Sequence, residues 1–252
     1  MTRHRRRLTL AAVIGMLALP DAAHAQTDTQ LWANFTFDWI KSKRVTFGVD
    51  AEPKVLLSAP SGDPWWATLD VTPSFEYSRG EWFDAVSELL VGRTRQTDDV
   101  NSTEVTPRIG FRLHLLSNLR DALEKEKKPK RRLVIRDLAR LEWRNLWYSN
   151  DQPMSSTLRF RNRVEAMWSL NRPKVTDNGA FYLQADDEWF WPLDEPDERY
   201  AYKERVRAGL GYRRSFAWRF EGLYVLNRSR KSASQSFSTS DRAIELTMKR
   251  VW

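Results

Sequence analysis

The stretch that decides the fold is DRAIELTMKRVW, residues 241–252. Ile244, Leu246, Met248 and Trp252 fall on one side of an extended strand, and Glu245, Thr247 and Lys249 fall on the other. Chain termini are usually frayed and polar. An alternation kept up to a final tryptophan reads instead as a strand tied into a sheet.

The same period of two runs back through the chain. Leu31, Ala33, Phe35, Phe37 and Trp39 share a face, and after KSK so do Val45, Phe47, Val49 and Ala51. Ala67, Leu69, Val71, Phe75 and Tyr77 oppose Thr68, Asp70, Thr72, Ser74 and Glu76. SRGE then reads as a tight turn in which Gly80 takes a positive φ. Further alternating segments lie at 83–91, 105–115, 135–143, 158–168, 181–189, 202–212 and 218–226 before the terminal one. Residues 120–132, RDALEKEKKPKRR, break the pattern as a charged insert, and SRKSASQSFSTS reads as a loop.

Eleven segments of some nine to thirteen residues result. A membrane-crossing strand needs about 9–11 residues, whereas soluble strands average about 5–6. The chain has 12 Trp, 12 Phe and 7 Tyr, yet its mean hydropathy is only −0.61. A transmembrane barrel reconciles the two, because half of each strand and most of each loop are polar. Many of the large rings, among them Trp39, Trp65, Tyr77, Trp82, Trp143, Trp147, Trp168, Trp189, Trp191, Tyr202, Tyr212 and Trp218, fall near segment ends. Amphipathic rings gather there at the two bilayer interfaces.

The front of the chain sets the compartment. Met1 to Arg7 holds four arginines, an apolar run follows to Pro20, and Ala23-His24-Ala25 closes it. This reads as a secretory signal peptide, residues 1–25, cleaved before Gln26 and leaving residues 26–252 as a single domain. The apolar run is shorter than the about 20 residues a spanning helix needs. Removing it lowers the formal net charge from +8 to +5. No Lys/Arg block with interleaved aromatics is present, so nucleic acid is excluded as a partner. The chain has no cysteine.

The fold expected is all-β: an antiparallel up-and-down transmembrane β-barrel in the bacterial outer membrane. Single-chain bacterial barrels carry even strand numbers. Eleven is odd, so the expectation is ten or twelve strands, twelve favoured, with a hidden strand between Leu113 and Arg136. The turns KSK, SRGE and YRRS look short and periplasmic, with the last strand running down toward them. That placing starts the first strand outside, which counts against it. The final strand resembles the β-signal that the barrel-assembly machinery reads, with Ile244, Leu246, Met248 and Trp252 in its positions; Arg250 departs from it, since an apolar residue is expected there.

The chain also resembles an uncharacterised bacterial family of outer-membrane barrels, domain of unknown function 2490. The resemblance is carried by LWANFTFDWIKSKRVTFGVDAEP, RLEWRNLW, LRFRNRVE, DDEWFW and ERVRAGLGYRRS, and covers nearly all of the chain after residue 25. It implies the fold and the outer-membrane location and brings no catalytic residues.

The polar faces carry the candidate site. Arg108 and Arg112, Arg140 and Arg144, Arg159, Arg161 and Arg163, Arg205 and Arg207, and Arg219 form ladders. Glu142, Glu165, Asp186, Glu188 and Glu221 lie on the same faces. Charges inside a barrel must be paired, and a small barrel has a narrow interior that side chains fill. The expected function is therefore an integral outer-membrane barrel with a charge-lined, narrow or plugged lumen. A small-solute, anion-preferring channel is the alternative, since charged rings set selectivity. A soluble periplasmic barrel that binds lipid or a small molecule is a further one.

Enzymatic chemistry is not expected. His114, with Ser117 nearby, is the one histidine after the leader, and no nucleophile motif accompanies it. Asp186, Asp187 and Glu188 could hold a hard cation weakly, but a salt-bridged wall explains them better. No metal and no cofactor is expected. The partners expected are outer-membrane lipid and lipopolysaccharide, which the 120–132 insert could touch, and the assembly machinery.

Overall fold

The computed structural model describes residues 27–60, 62–97, 100–116, 132–150, 152–194 and 200–252. The leader, Ser117 and all of the 120–132 insert except Arg132 lie outside the described residues. Eleven strands follow in order: β1 (Asp28–Ile40), β2 (Val45–Ser58), β3 (Trp66–Arg79), β4 (Phe83–Gln96), β5 (Ser102–Leu116), β6 (Leu133–Tyr148), β7 (Ser155–Ser169), β8 (Ala180–Pro192), β9 (Lys203–Ser215), β10 (Trp218–Ser229) and β11 (Ser238–Val251). They are the eleven alternating segments of the sequence, each extended by a few residues. There is no helix among the described residues.

The sheet closes on itself in sequence order, with β1 bonded to both β2 and β11. The expectation of ten or twelve strands is corrected here, and so is the wholly antiparallel pairing. Every consecutive pair is antiparallel, but β1 and β11 run parallel, in register from Asp28↔Asp241 to Asp38↔Val251. The even-number rule assumes an antiparallel meeting of first and last strands. A parallel seam removes that condition, so the ring needs no hidden strand.

Parallel closure puts the start of β1 and the end of β11 at opposite ends of the barrel. At the Trp252 end lie the short connections 41–44, 80–82 and 216–217. The first two are the turns read as KSK and SRGE; YRRS forms the end of β9, with the turn following it at 216–217, and β1 does start at the other end. Gly80 takes φ 71° in its turn, a value open to glycine without steric cost. The terminal tryptophan is anchored. Its N–H donates to the Asp38 carbonyl at 2.9 Å, its own carbonyl accepts from Ile40 N–H at 2.9 Å, and its indole stacks on Trp39 at 5.3 Å. The Arg250 guanidinium lies over Trp218 at 4.5 Å and over Trp252 at 5.2 Å. A cation held against two indoles at the rim explains how the strand carries a charge where an apolar residue was expected.

The two faces divide sharply. Outside stand Phe35, Phe47, Leu69, Phe75, Leu89, Ile109, Leu141, Leu210 and Leu246, all exposed, with Ile109 62% accessible. Toward the Trp252 end the exposed rings are Trp39, Tyr77, Trp82, Trp168 and Phe181; toward the Asp28 end they are Trp65, Trp143 and Trp147. Tyr202, read as one of these rings, lines the interior instead. A polar break crosses the outer face of β6 to β8, where Asp137 and Asp187 both register with Val164 and Asn162 Nδ2 donates to Asp137 Oδ1 at 2.6 Å.

The seam is open to a direct check. The chain has no cysteine, and Ala33 registers with Leu246 across β1 and β11. The double variant Ala33→Cys/Leu246→Cys is expected to form a disulfide on oxidation, seen as altered migration of the boiled, non-reduced protein on a gel that reductant reverses. An added strand between β1 and β11 would hold the two positions beyond the about 7 Å limit for bridging, and no bond would form.

Candidate functional site

Alternation sends the even-numbered positions of most strands inward, where they line a cavity of about 770 Å³. Its walls include Ile40 and Lys43 at the Trp252 end and Glu104, Tyr202 and Lys203 at the Asp28 end. All fifteen charged residues singled out in the sequence lie on this inner face, most of them directly on the cavity.

Six of the inner charges close a ring of alternating sign on the β4–β8 wall. Glu88 pairs with Arg140 at 2.8 Å and with Arg108 at 3.4 Å. Arg108 reaches Glu142 at 3.2 Å, and Glu142 accepts from Arg161 at 2.6 Å. Arg161 also holds Glu188 at 2.6 Å, and Glu188 returns to Arg140 at 3.4 Å. Arg159 adds a further pair to Glu142, and Arg205 one to Glu188 at 3.6 Å. Glu142 and Glu188 are almost fully buried. An isolated buried carboxylate is costly, so each needs its several guanidinium partners.

The other sequence candidates are placed around this ring. Arg144 binds Glu104 at 2.8 Å, Arg207 binds Asp186 at 2.8 Å, and Arg219 reaches Glu221 at 3.1 Å. Arg112 pairs with Glu76, and Glu165 with Arg136. Arg163 lines the cavity and makes no ion pair among the described residues. The ring of Tyr182 lies across Gly211 and its hydroxyl donates to Glu221 at 2.5 Å. A Cβ at position 211 would collide with that ring, so the glycine makes room for the aromatic.

Several inner residues escaped the sequence reading. Trp32 and Phe190 stand on polar faces yet point inward and are nearly fully buried. Arg205 lies 4.8 Å from the Trp32 ring and Arg161 4.7 Å from that of Phe190. Lys54 bridges Glu52 and Asp70, each at 2.8 Å, and Lys249 pairs with Asp38 at 2.5 Å. At the Trp252 end the connection between β7 and β8 turns Val175 inward onto Val134, Met167 and Tyr182, which narrows that mouth.

The lumen is also divided in charge around its circumference. From β1 to β4 the inner charges are Asp38, Asp50, Glu52, Asp70, Glu76, Asp84 and Glu88, against Lys54 and, at the rim between β1 and β2, Lys43. From β5 to β9 cations prevail: Arg108, Arg112, Arg136, Arg140, Arg144, three arginines of β7, and Lys203, Arg205, Arg207 and Arg213, against five carboxylates. The signal was readable in the sequence: the polar face of β2 spells Asp50, Glu52, Lys54, that of β7 spells Arg159, Arg161, Arg163.

Two chemical alternatives take definite form. His114 Nε2 lies 2.5 Å from Asp84 Oδ2, while its Nδ1 is buried without a hydrogen-bond partner. No hydroxyl among the described residues reaches that nitrogen, so no base–nucleophile contact of a triad forms among them; Ser117 lies outside the described residues. Asp186 and Glu188 face inward into ion pairs, while Asp187 between them faces out, which splits the trio considered for a cation. No cluster of three or more metal-ligating side chains occurs among the described residues.

No family model matches the chain, and no curated protein matches it. The geometry of the barrel therefore carries the functional reading.

Removing one member of the ring tests its role in stability. Glu142→Gln leaves Arg108, Arg159 and Arg161 short of a counter-charge and is expected to cost about 3–5 kcal/mol, measured by denaturant unfolding of the refolded barrel. Glu142→Gln combined with Arg161→Met is expected to recover part of that loss.

Proposed function

We propose that this chain is an integral β-barrel of the bacterial outer membrane, exported by its leader. The observation that supports this best is the inversion of its faces. Large apolar side chains cover the outside of the sheet, and paired charges fill the inside. In water that arrangement exposes far more contiguous apolar surface than the few hundred Å² usual for soluble proteins. In a bilayer the same surface is solvated by lipid, and the closed ring leaves no free sheet edge. The motif resemblance to the outer-membrane family points the same way. In this reading Ile244, Leu246, Met248 and Trp252, on the outer face of β11, serve as the signal for the assembly machinery. In the same reading the Trp252 end lies in the periplasm, and the parallel seam then starts β1 outside.

Within that reading the barrel is a narrow, hydrated passage for small polar solutes. The cavity of about 770 Å³ favours this over a solid plug, because side chains from both ends of the barrel line it. The ion-pair ring and the inward Val175 set its narrowness. The arginine ladders are largely matched by carboxylates, so strong preference for anions does not follow from them.

Two experiments test the reading. Outer membranes from cells expressing the full chain are expected to yield a band whose migration shifts on boiling; a soluble periplasmic band without that shift would overturn it. The second is Ile109→Arg, a change on the outer face at a residue 62% accessible. In lipid an arginine costs about 2–4 kcal/mol at the midplane, so assembled barrel is expected to fall. A soluble protein would accept the same change without loss.

A further inference from the structure

We infer that the lumen is built to take small zwitterions, solutes carrying an ammonium and a carboxylate, held crosswise between its two walls. The inference rests on the passage reading above. It starts from the division of inner charge: an acidic wall on β1 to β4 faces a basic wall on β5 to β9 across one cavity. β2 and β7 lie five strands apart one way round the ring and six the other, so they stand on opposite sides.

Ion pairing within the walls and where they meet uses up most of the charge, with the ring from Glu88 of β4 to Glu188 of β8 as the main case. The clearest of the charges left over stand on opposite sides. Asp50 of β2 and Arg163 of β7 both line the cavity, and neither makes an ion pair among the described residues. Arg213 and Lys203 of β9 are likewise cations on the cavity without an ion pair among the described residues, as is Lys43 at the rim between β1 and β2. Apart from Lys43 at the Trp252-end rim, the excess is thus negative on one side and positive on the other, and it directs a field across the passage rather than along it.

Such a field treats solutes differently from a uniformly charged pore. A monovalent ion is drawn to one wall and repelled by the other, with little net gain. An uncharged solute gains nothing. A zwitterion aligned with its ammonium toward Asp50 and its carboxylate toward Arg163 is attracted at both ends. Low-dielectric walls of fixed charge concentrate such solutes locally by about tenfold or more, and added salt screens the effect over a Debye length of about 10 Å at 0.1 M.

The test uses the full barrel reconstituted in liposomes and reads swelling rates in isosmotic glutamine, a zwitterion, and arabinose, an uncharged solute of similar size. Glutamine is expected to enter about tenfold faster at low salt, and the ratio is expected to fall as potassium chloride is added. In Asp50→Asn/Arg163→Gln, verified as folded by its shift on boiling, the ratio is expected to drop toward unity. Equal rates for glutamine and arabinose in the unaltered barrel overturn the inference and leave the passage standing. A ratio insensitive to both salt and the double substitution also overturns it. No protein-dependent swelling in either solute overturns the passage reading and the inference together.

Discussion

A sheet that is apolar on its outer face cannot leave an edge. In the membrane proposed for it, every unpaired N–H and C=O along such an edge would face hydrocarbon with nothing to bond to. Closure is therefore the constraint on which the rest depends, and eleven strands can meet it in only one way. The first and last must run side by side in the same direction. The register from Asp28↔Asp241 to Asp38↔Val251 and the stacking of Trp252 on Trp39 fasten that joint. Parallel ladders are slightly weaker per residue than antiparallel ones, and the rim contacts of Trp252 and Arg250 add to the seam where it ends.

Closure in turn creates the interior problem. A ring of this size encloses more space than apolar side chains from one face could fill without also burying polar ones. The chain answers with long ionic side chains that reach across neighbouring strands. Glu142 collects guanidinium groups from β5 and β7, and Glu188 collects them from β6, β7 and β9. Each carboxylate thus ties together strands that are not adjacent, which braces the wall as well as neutralising it. The same pairing gives most of what look in sequence like bare arginine ladders a carboxylate partner, while the β5–β9 wall stays basic on balance.

Much of this was legible from the residues. Period-two alternation identified all eleven strands and which face of each is polar, because the side-chain period of a strand is fixed by its geometry. It identified Arg108, Arg140, Glu142, Arg161 and Glu188 as inner residues for the same reason. Strand parity was not legible: whether the ends meet parallel or antiparallel is a property of the whole ring, and a rule drawn from antiparallel barrels misled the count. Nor were the partners, since Glu88 and Glu188 are far apart in sequence and meet through Arg140 only once the sheet curls. Trp32 and Phe190 were passed over because an aromatic on a polar face looks like noise until cations are found stacked on it.

The parallel seam also bears on how such a barrel could arise. Antiparallel sheets lengthen and shorten by whole hairpins, two strands at a time. Each such step leaves an odd ring odd and its joint parallel. To reach an even ring, this architecture would have to gain or lose one strand at β1 or β11, and that terminus would then emerge at the opposite end of the barrel. The direction of a single joint thereby divides barrels of neighbouring size into two lineages that hairpin duplication cannot connect.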